Sequence, residues 1–237
     1  MTLANAQNAR TKLKHASHCA GPDAQRRDQR LLRGSVASQV ERGIYISTGP
    51  GTERDSSHSY GGSAPYVGCG NGALLRRSPA RPLAVGADIS RSALALAHER
   101  GLWVVRATFE GPHLPFRGQT FDCVTCLDVI EHLFDPRPLL RELRRVLRPN
   151  GILILQTPNV RHYLQLYRIA VKGHGPQTSG DPEGVDGGHV HYFTAKDVAI
   201  LIREAGFDRP HLHGTEGVRF FPSFRSLGIL AIARRTP

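Results

Sequence analysis

Three glycines at alternate positions, Gly68, Gly70 and Gly72, constrain this chain more than any other feature of its sequence. Closely spaced glycines let a backbone turn sharply and approach a ligand without a Cβ atom in the way. Asp88 follows Gly68 by twenty residues, at the end of the apolar run 83–87. An acidic side chain at the end of a parallel strand can accept hydrogen bonds from ribose hydroxyl groups. The pattern therefore predicts a loop that binds a cofactor containing a nucleoside.

Segments typical of strands and helices alternate after this loop. Strands are predicted at 63–67, 83–88, 102–107, 121–127 and 152–155, and helices at 71–78, 91–100, 135–148, 160–171 and 195–205. Ser90 and Thr194 are candidate N-caps, because a hydroxyl oxygen can accept from the first free amides of a helix. The alternation predicts a mostly parallel sheet covered on both faces. Two last apolar segments, 207–214 and 226–233, predict an antiparallel pair of strands that completes the sheet.

Composition limits the class of protein. A chain of 237 residues with 40% hydrophobic residues can bury the core of one α/β domain. The sequence contains neither a long apolar run nor a signal peptide, so we expect a soluble cytoplasmic protein without a membrane span. The net charge of +11 is spread along the chain, and it is at most a weak indication of an anionic substrate.

The cysteine pattern does not predict a metal or redox site. Cys123 and Cys126 form a CxxC pair, but they lie within the predicted strand 121–127. Residues three apart on a strand point to opposite faces. We therefore expect two small buried side chains in a reducing compartment.

Several separate motifs between Gly68 and about Phe207 resemble the class I S-adenosylmethionine-dependent methyltransferases. The matching segments are YVGCGNG at 66–72, LPF at 114–116 followed by FD at 121–122, DVIEHLFDP at 128–136, RELRRVLRPNGILILQTPN at 141–159 and HVHYFTAKDV at 189–198. The resemblance implies a three-layer αβα, Rossmann-like methyltransferase fold. The branch that it resembles includes many enzymes of small-molecule and glycan pathways.

The resemblance also implies a cofactor and the residues that hold it. The cofactor is S-adenosylmethionine, with the glycine loop at its methionine end, Asp88 at the ribose and Glu110 near the adenine. The residues implied in cofactor binding are Gly68, Cys69, Gly70, Gly72, Asp88, Ile89, Glu110, Leu127 and Asp128.

Candidates for catalysis lie directly after the fourth predicted strand and within the insertion 158–193. We expect this insertion to form a lid over the substrate. A hydroxyl or amine acceptor needs a base, and His132, Glu131, His189 and His191 are the candidates. His189 and His191 alternate on an extended segment, so they should face opposite ways. A third ligand at metal spacing is missing from the sequence around them, so no metal is predicted.

Substrate contacts are expected from the same insertion. Asn159, Tyr163 and Tyr192 are the candidates. The predicted function is methyl transfer to an oxygen, nitrogen or carbon atom of a small metabolite or glycan intermediate, without a specific nucleic acid partner. The sequence does not predict an oligomeric state.

The N-terminal part departs from the family pattern. Residues 1–62 have little periodicity and are expected to be poorly structured or to form a partial lid, with the methyltransferase domain at 63–237. Pro65 cannot donate a ladder hydrogen bond, and Tyr66 stands where the family usually has an acidic residue.

Three other functions remain open from the sequence alone. The departures at Pro65 and Tyr66 leave open a methyltransferase-like regulator or partner protein with impaired cofactor binding. A nicotinamide oxidoreductase could use the same glycine loop and acidic residue, but it would not explain the segments at 114–122, 128–132 and 157–159. An RNA methyltransferase would suit the positive charge, although no added binding module is recognisable.

Overall fold

A computed structural model describes residues 64–77, 84–111, 113–178, 188–215 and 222–237. Its strands are β1 (Ala64–Val67), β2 (Ala84–Asp88), β3 (Val104–Arg106), β4 (Phe121–Leu127), β5 (Leu147–Pro158), β6 (His211–Gly214) and β7 (Gly228–Arg234). They form one sheet in the order β3-β2-β1-β4-β5-β7-β6. Strands β1 to β5 pair in parallel, and β7 pairs antiparallel with both β5 and β6. The predicted α/β fold with a C-terminal antiparallel pair is confirmed.

Helices cover both faces of this sheet. They are α1 (Arg91–Glu99), α2 (Arg137–Val146), α3 (Tyr163–Ala170), α4 (Ala195–Glu204) and α5 (Pro222–Arg225). Tyr66 of β1 packs in a cluster with Ala97 of α1, whereas the next residue, Val67, packs in the main core with Leu140 of α2 and Ile202 of α4. Because successive strand side chains point to opposite faces, α1 lies on one face and α2 and α4 lie on the other.

The predicted N-caps are present where the sequence placed them. The Ser90 hydroxyl accepts from the amide of Ala93 at the start of α1. Thr194 forms a capping box with Asp197 at the start of α4, since each side chain accepts from the other residue's amide.

Strand β1 is complete despite its proline. It pairs with β2 along all four residues, from Ala64 to Val67, but with β4 only from Tyr66 onward. Pro65 therefore lies where β4 does not yet pair, at the start of a strand, which is a position that proline tolerates. All four residues are buried, so the unusual composition does not prevent the strand from forming.

Some element boundaries differ from the sequence prediction. The helix expected at 71–78 is a series of turns that ends in a short 3-10 helix, Leu75–Arg77. The helix expected at 135–148 is α2, and β5 already begins at Leu147. Between the pairs Phe121–Leu147 and Cys123–Ile152, β4 advances two residues and β5 five. The extra residues of β5 at this irregularity contain the Pro-Asn-Gly turn.

Glu142 of α2 fixes the segment that precedes β4. Its carboxylate accepts from Arg145 (2.7 and 2.8 Å), from the amide of Leu114 (2.8 Å) and from His113 Nδ1 (3.3 Å). Burial alone would raise the pKa of Glu142, but these hydrogen bonds outweigh it and lower the pKa to about 2. Glu142 is therefore ionised at neutral pH, and it joins the LPF segment to α2.

Cys123 and Cys126 face opposite sides of the sheet, as their spacing in a strand predicts. Cys126 lies in the main core, and Cys123 packs with the clusters on the other face. Burial raises the pKa of the Cys123 thiol to about 12 and raises that of Cys126 even further. Both thiols stay protonated, and the pair cannot act as one redox or metal site.

The strand order determines where a ligand can bind. The chain runs outward from β1 to β3 and then returns to the other side of β1 with β4. In open parallel sheets, ligands bind beyond the carboxyl ends of the strands at the place where the order reverses. That place lies between β1 and β4, next to the glycine loop. Among the described residues, no helix is long and apolar enough to cross a membrane. The prediction for residues 1–62 lies outside the described residues.

Candidate functional site

The glycine loop leaves β1 in a conformation that requires glycine at its first position. Gly68 has φ +75°, and a Cβ atom there would lie 2.3 Å from Cγ2 of Val129. The amides of Gly68 and Cys69 both donate to the carbonyl of Ala87 at the end of β2 (2.9 and 3.1 Å). The loop is therefore held against β2 and the segment that follows β4.

Gly70 lies at the open tip of this loop. It has φ +52°, and no atom among the described residues lies within 4 Å of the place where its Cβ would be. Its amide donates to Oδ2 of Asp88 (2.7 Å), while Oδ1 of Asp88 accepts from the amide of Ser90 (2.9 Å). A carboxylate has about four lone-pair positions, so Asp88 can hold the loop and still accept from two ribose hydroxyl groups. The space at Gly70 and the position of Asp88 fit the nucleoside cofactor that the sequence implies.

Other residues predicted in cofactor binding are placed differently. The Cys69 side chain packs against Gly86 of β2, where a Cβ would lie 2.6 Å from its sulfur, so only its backbone faces the loop opening. Gly72 packs closely on Leu102. Ile89 is 55% exposed beside Asp88, and an exposed apolar side chain there can cover a flat ring.

Leu127 is the last residue of β4, and Asp128 follows it on the other side of the reversal point. Asp128 is exposed and has φ +52°. Gln156 of β5 donates from Nε2 to both of its carboxylate oxygens (3.2 and 3.4 Å), and the Asp128 amide donates to the Gln156 carbonyl (3.0 Å). These contacts keep the Asp128 carboxylate at the carboxyl edge of the sheet.

Glu131 is the buried acid of the site. It is 1% exposed, and its Oε2 accepts from the hydroxyl of Thr157 (3.0 Å). Its Oε1 is also buried and has no hydrogen-bond partner among the described residues. Burial, followed by the charge of Asp128, raises the pKa of Glu131 to about 8. A carboxyl group with this pKa can give or take a proton near neutral pH.

His132 and His189 meet beside Glu131, although 57 residues separate them. Their rings are in edge contact, with centroids 4.6 Å apart. His132 Nδ1 donates to the carbonyl of Gly188 (3.3 Å), and His189 Nδ1 bonds to the hydroxyl of Thr178 (2.7 Å). The carboxylate and the two rings each place one nitrogen or oxygen atom within 4.8 Å of the others. We call Glu131, His132 and His189 the acid–histidine cluster.

His191 faces away from this cluster, as the alternation of an extended segment predicts. Its Nε2 donates to the carbonyl of Phe134 (3.0 Å), and its ring stacks on Phe193. The amide of Phe134 in turn donates to Oε1 of Glu110 (3.3 Å). Glu110 therefore lies beside Phe134, which is 82% exposed.

The described residues of the insertion are held by hydrogen bonds at both ends. The amides of Val190 and His191 donate to the carbonyl of Glu131 (2.9 and 3.1 Å). The buried side chain of Gln165 on α3 makes two hydrogen bonds to the backbone of Gln177. Its Nε2 donates to the Gln177 carbonyl, and its Oε1 accepts from the Gln177 backbone amide (2.9 Å). These hydrogen bonds hold the segment after α3 against α3, and they hold the segment before α4 against Glu131 of the cluster.

The three candidate substrate residues differ in accessibility. Tyr163 and Tyr192 are 51% and 38% exposed. Asn159 is 2% exposed, its Nδ2 donates to the carbonyl of Ser226 (2.8 Å), and its Oδ1 accepts from the amide of Arg161 (3.0 Å). In this conformation Asn159 supports the loop between β5 and α3 and does not face a substrate.

Sequence reasoning missed the convergence of the acid–histidine cluster. It predicted no metal because no third ligand follows His189 and His191 at metal spacing, and it did not foresee that Glu131 and His132, from another part of the chain, lie close to His189. Thr157 belongs to the matching segment 141–159, but its hydrogen bond to Glu131 was not predicted. Only a fold that joins the segment after β4 to the one before α4 reveals these contacts.

Comparisons with known proteins agree with this architecture. Residues 66–155 match the family described as the methyltransferase domain. The chain is 31% identical over 157 residues to a ubiquinone biosynthesis O-methyltransferase of Ralstonia nicotianae, a match that covers 63% of this chain and 64% of that protein. The chain spans less than two thirds of this relative, and only 49% and 42% of two further proteins of the same name.

Solved structures share the fold at low sequence identity. An S-adenosylmethionine-dependent methyltransferase from Mesorhizobium loti superposes with a TM-score of 0.61 at 19% identity, covering 86% of this chain and all of that one. Phosphoethanolamine N-methyltransferase 2 of Haemonchus contortus, solved in complex with S-adenosylmethionine, has a TM-score of 0.54 at 14% identity. That match covers 74% of this chain and 49% of the other.

Proposed function

We propose that this chain is a class I S-adenosylmethionine-dependent methyltransferase and that it transfers a methyl group to a hydroxyl oxygen of a small molecule. The observation that carries the proposal is the acid–histidine cluster, which follows β4 at the reversal point of the sheet, in the segment whose Val129 packs against Gly68 of the glycine loop. The names of its relatives support oxygen as the acceptor atom.

S-adenosylmethionine, the cofactor of this family, supplies a methyl group that a sulfonium charge has already activated. The backbone of the glycine loop would hold its methionine end, with open space above Gly70. Asp88 would accept from the ribose hydroxyl groups, and Ile89 and Glu110 would contact the base. Leu127 and Asp128 would close the side formed by β4.

The acceptor oxygen must lose its proton for the transfer to proceed. His132 is exposed, whereas Glu131 is buried beneath it, so the imidazole can touch a substrate and the carboxyl group supports it. His132 Nδ1 donates to a carbonyl group, which places the lone pair of a neutral ring on Nε2. The cluster can therefore receive the proton from a substrate hydroxyl. His191 donates its Nε2–H to the carbonyl of Phe134, so we assign it no part in proton transfer.

Exposed aromatic side chains support a small, partly apolar acceptor. Phe134, Tyr163 and Tyr192 are exposed in the segments that flank the cluster or belong to the proposed lid. Aromatic rings of this kind can stack on a flat acceptor and help to exclude water. Residues 158–193 would act as the lid, since both of their described ends are tied down by hydrogen bonds.

Methyl transfer from labelled S-adenosylmethionine tests the proposal on matched acceptors. We expect catechol and related hydroxylated aromatic molecules to be methylated on oxygen, and 1,2-diaminobenzene to remain unmodified. His132→Ala should lower kcat about 100-fold or more, which is the usual contribution of a positioned base. Product analysis by mass spectrometry and measurement of initial rates check both expectations.

His98→Ala is the matched control, because His98 is an exposed histidine of α1 on the surface of the domain. Its kcat should equal that of the unmodified chain. Methylation of the diamine but of none of the hydroxyl compounds would contradict the assignment of oxygen. An unchanged kcat in His132→Ala would remove the cluster from the reaction.

The pairing of β1 weakens one reason for a cofactor-impaired regulator. That alternative depended on Pro65 and Tyr66, but β1 pairs with both neighbours and Tyr66 is buried in a packed cluster. The family match also replaces the nicotinamide oxidoreductase alternative.

A further inference from the structure

A basic groove runs between α4 and the outer edge of the sheet. It consists of two adjoining hollows of about 510 and 550 Å³, the first along α4 and the second between α4 and the start of β6. Arg209 lines both hollows, and the first is also lined by Lys196, Ala199, Ile200 and Arg203 of α4. Residues at this spacing form one stripe along a helix. We call this surface the α4–β6 groove.

The cations of the α4–β6 groove are exposed and lack counter-charges. Lys196, Arg203 and Arg209 are all exposed, and none of them forms an ion pair with another described residue. Three like charges in one groove attract an anionic ligand.

The neighbouring acidic side chains have other partners. Asp197 closes the capping box of α4. Glu204 accepts from Arg137 of α2 (3.4 Å), on the side of α4 that faces the core helices. Oδ1 of Asp208 accepts from the amide of Arg234 on β7 (2.7 Å). The groove therefore keeps its positive charge.

The sheet ends at β6, and among the described residues no strand pairs with its outer edge. The amide of Thr215 donates to the first residue of β7 (3.3 Å), and residues of an antiparallel pair alternate between bonded and non-bonded positions. Counting back along β6, His213 and His211 bond to β7. The amides and carbonyls of Leu212 and Gly214 therefore point outward from the sheet.

The floor of the groove is apolar. Leu212 lies opposite Ala231 of β7, which belongs to the main core together with Ile202 of α4. Directly opposite residues point to the same face of a sheet, so the Leu212 side chain faces α4. Leu212 and Ile200 are 36% and 43% exposed. An apolar strip thus lies between the cations and the open edge of β6.

We propose that the α4–β6 groove binds an acidic, extended segment of another protein, which adds to the sheet as a strand beside β6. An exposed edge readily pairs with such a peptide, whose main-chain hydrogen bonds give affinity and whose side chains give specificity. Side chains of a strand alternate, so every second residue would face α4, at intervals of about 6.8 Å. Acidic residues at these positions would reach Lys196, Arg203 and Arg209.

Two other occupants fit this surface less well. Sites for single-stranded nucleic acid use aromatic platforms, and no Phe, Tyr or Trp is among the described residues that line the groove. A second copy of the chain, paired edge to edge through β6, would bring two sets of cations together on one face. Like charges at an interface oppose such pairing.

Fluorescence anisotropy of the full chain with the labelled peptide TEVEVET tests the proposal. Its three glutamates share one face of a strand. We expect a dissociation constant below about 100 µM at low salt, with weaker binding as salt is added. The peptide EEEVVTT has the same composition, but its glutamates point to both faces, so it should bind more weakly.

Charge reversal locates the binding surface. Arg203→Glu and Arg209→Glu should each weaken binding of TEVEVET at least about 10-fold, because like charges at an interface are costly. Arg91→Glu is the matched control, since it changes the net charge equally but lies on α1, on the other face of the sheet. It should bind the peptide as tightly as the unmodified chain.

Leu212→Pro tests the pairing with β6. It removes an outward amide, and proline is tolerated on an edge strand where the lost N–H faces solvent. Leu212→Ala is its control, because it loses the side chain and keeps the amide. We expect Leu212→Pro to weaken binding at least about 5-fold more than Leu212→Ala, through loss of a hydrogen bond. Urea denaturation checks that both variants fold, and the arginine variants do not depend on this strand.

Several results would overturn the proposal. These are no binding of TEVEVET below about 1 mM, equal binding of EEEVVTT, equal losses in Arg91→Glu and Arg203→Glu, or equal binding by folded Leu212→Pro and Leu212→Ala. Tighter binding of a labelled oligothymidine would assign the groove to nucleic acid, and a dimer that Leu212→Pro dissociates would assign it to a second copy. The assay contains no S-adenosylmethionine and no methyl acceptor, so its outcome is independent of the proposed function.

Discussion

Replacing Asp88 with alanine is expected to lower the affinity for S-adenosylhomocysteine at least about 100-fold, which corresponds to about 2.7 kcal/mol. The substitution would remove the hydrogen bonds that we propose between Asp88 and the ribose, and each hydrogen bond to a charged group contributes about 1.5–3 kcal/mol. The loop would lose the bond from the Gly70 amide at the same time. Isothermal titration calorimetry of the folded variant measures the change.

Ser90→Ala separates cofactor binding from the stability of α1. Asp88 and Ser90 both act at the start of this helix, where Ser90 accepts from the amide of Ala93. Loss of such a cap lowers the free energy of unfolding by about 1 kcal/mol. Affinity for S-adenosylhomocysteine should nevertheless be unchanged in Ser90→Ala. Equal losses of affinity in the two variants would mean that Asp88 acts only through the helix.

Gly70→Ala is expected to reduce the same affinity by about 100-fold or more, with a moderate loss of stability that comes from the backbone conformation alone. The new methyl group would project into the open space at the loop tip, where the cofactor would otherwise lie. The left-handed conformation costs alanine about 1–2 kcal/mol, and no neighbouring atom adds a clash. Calorimetric titration and urea denaturation measure the two effects separately.

Gly101→Ala is the matched control for this substitution. Gly101 has φ +71°, and no atom among the described residues lies within 4 Å of the place of its Cβ. The two variants should therefore lose similar stability, and only Gly70→Ala should lose affinity. If Gly70→Ala bound as tightly as Gly101→Ala, the space above Gly70 would not be the cofactor site.

Local signals were sufficient to predict most of the fold. Ser90 and Thr194 cap their helices because their hydroxyl groups compete for local amides, and such contacts depend on few neighbours. The run 121–127 is mostly apolar, so its composition alone predicts a largely buried strand. The start of β5 at Leu147 was not predictable, because its pairing depends on an irregularity opposite Phe121.

The site was predictable only where its residues follow one another in the chain. The glycine loop and Asp88 belong to one βα unit, so their spacing carries the prediction. His132 and His189 touch because the chain before α4 bonds to the Glu131 carbonyl, and no local pattern encodes that contact. The same limit applies to Asn159, whose burial depends on a distant carbonyl at Ser226.

Calorimetric titration of the unmodified chain with S-adenosylhomocysteine, next to an identical titration with NADH, tests the central claim most directly. The site described above predicts one binding site per chain with a dissociation constant on the order of micromolar, about −8 kcal/mol, and no heat from NADH. A folded chain that binds no S-adenosylhomocysteine, or that binds NADH more tightly, would contradict the assignment of this domain as a methyltransferase.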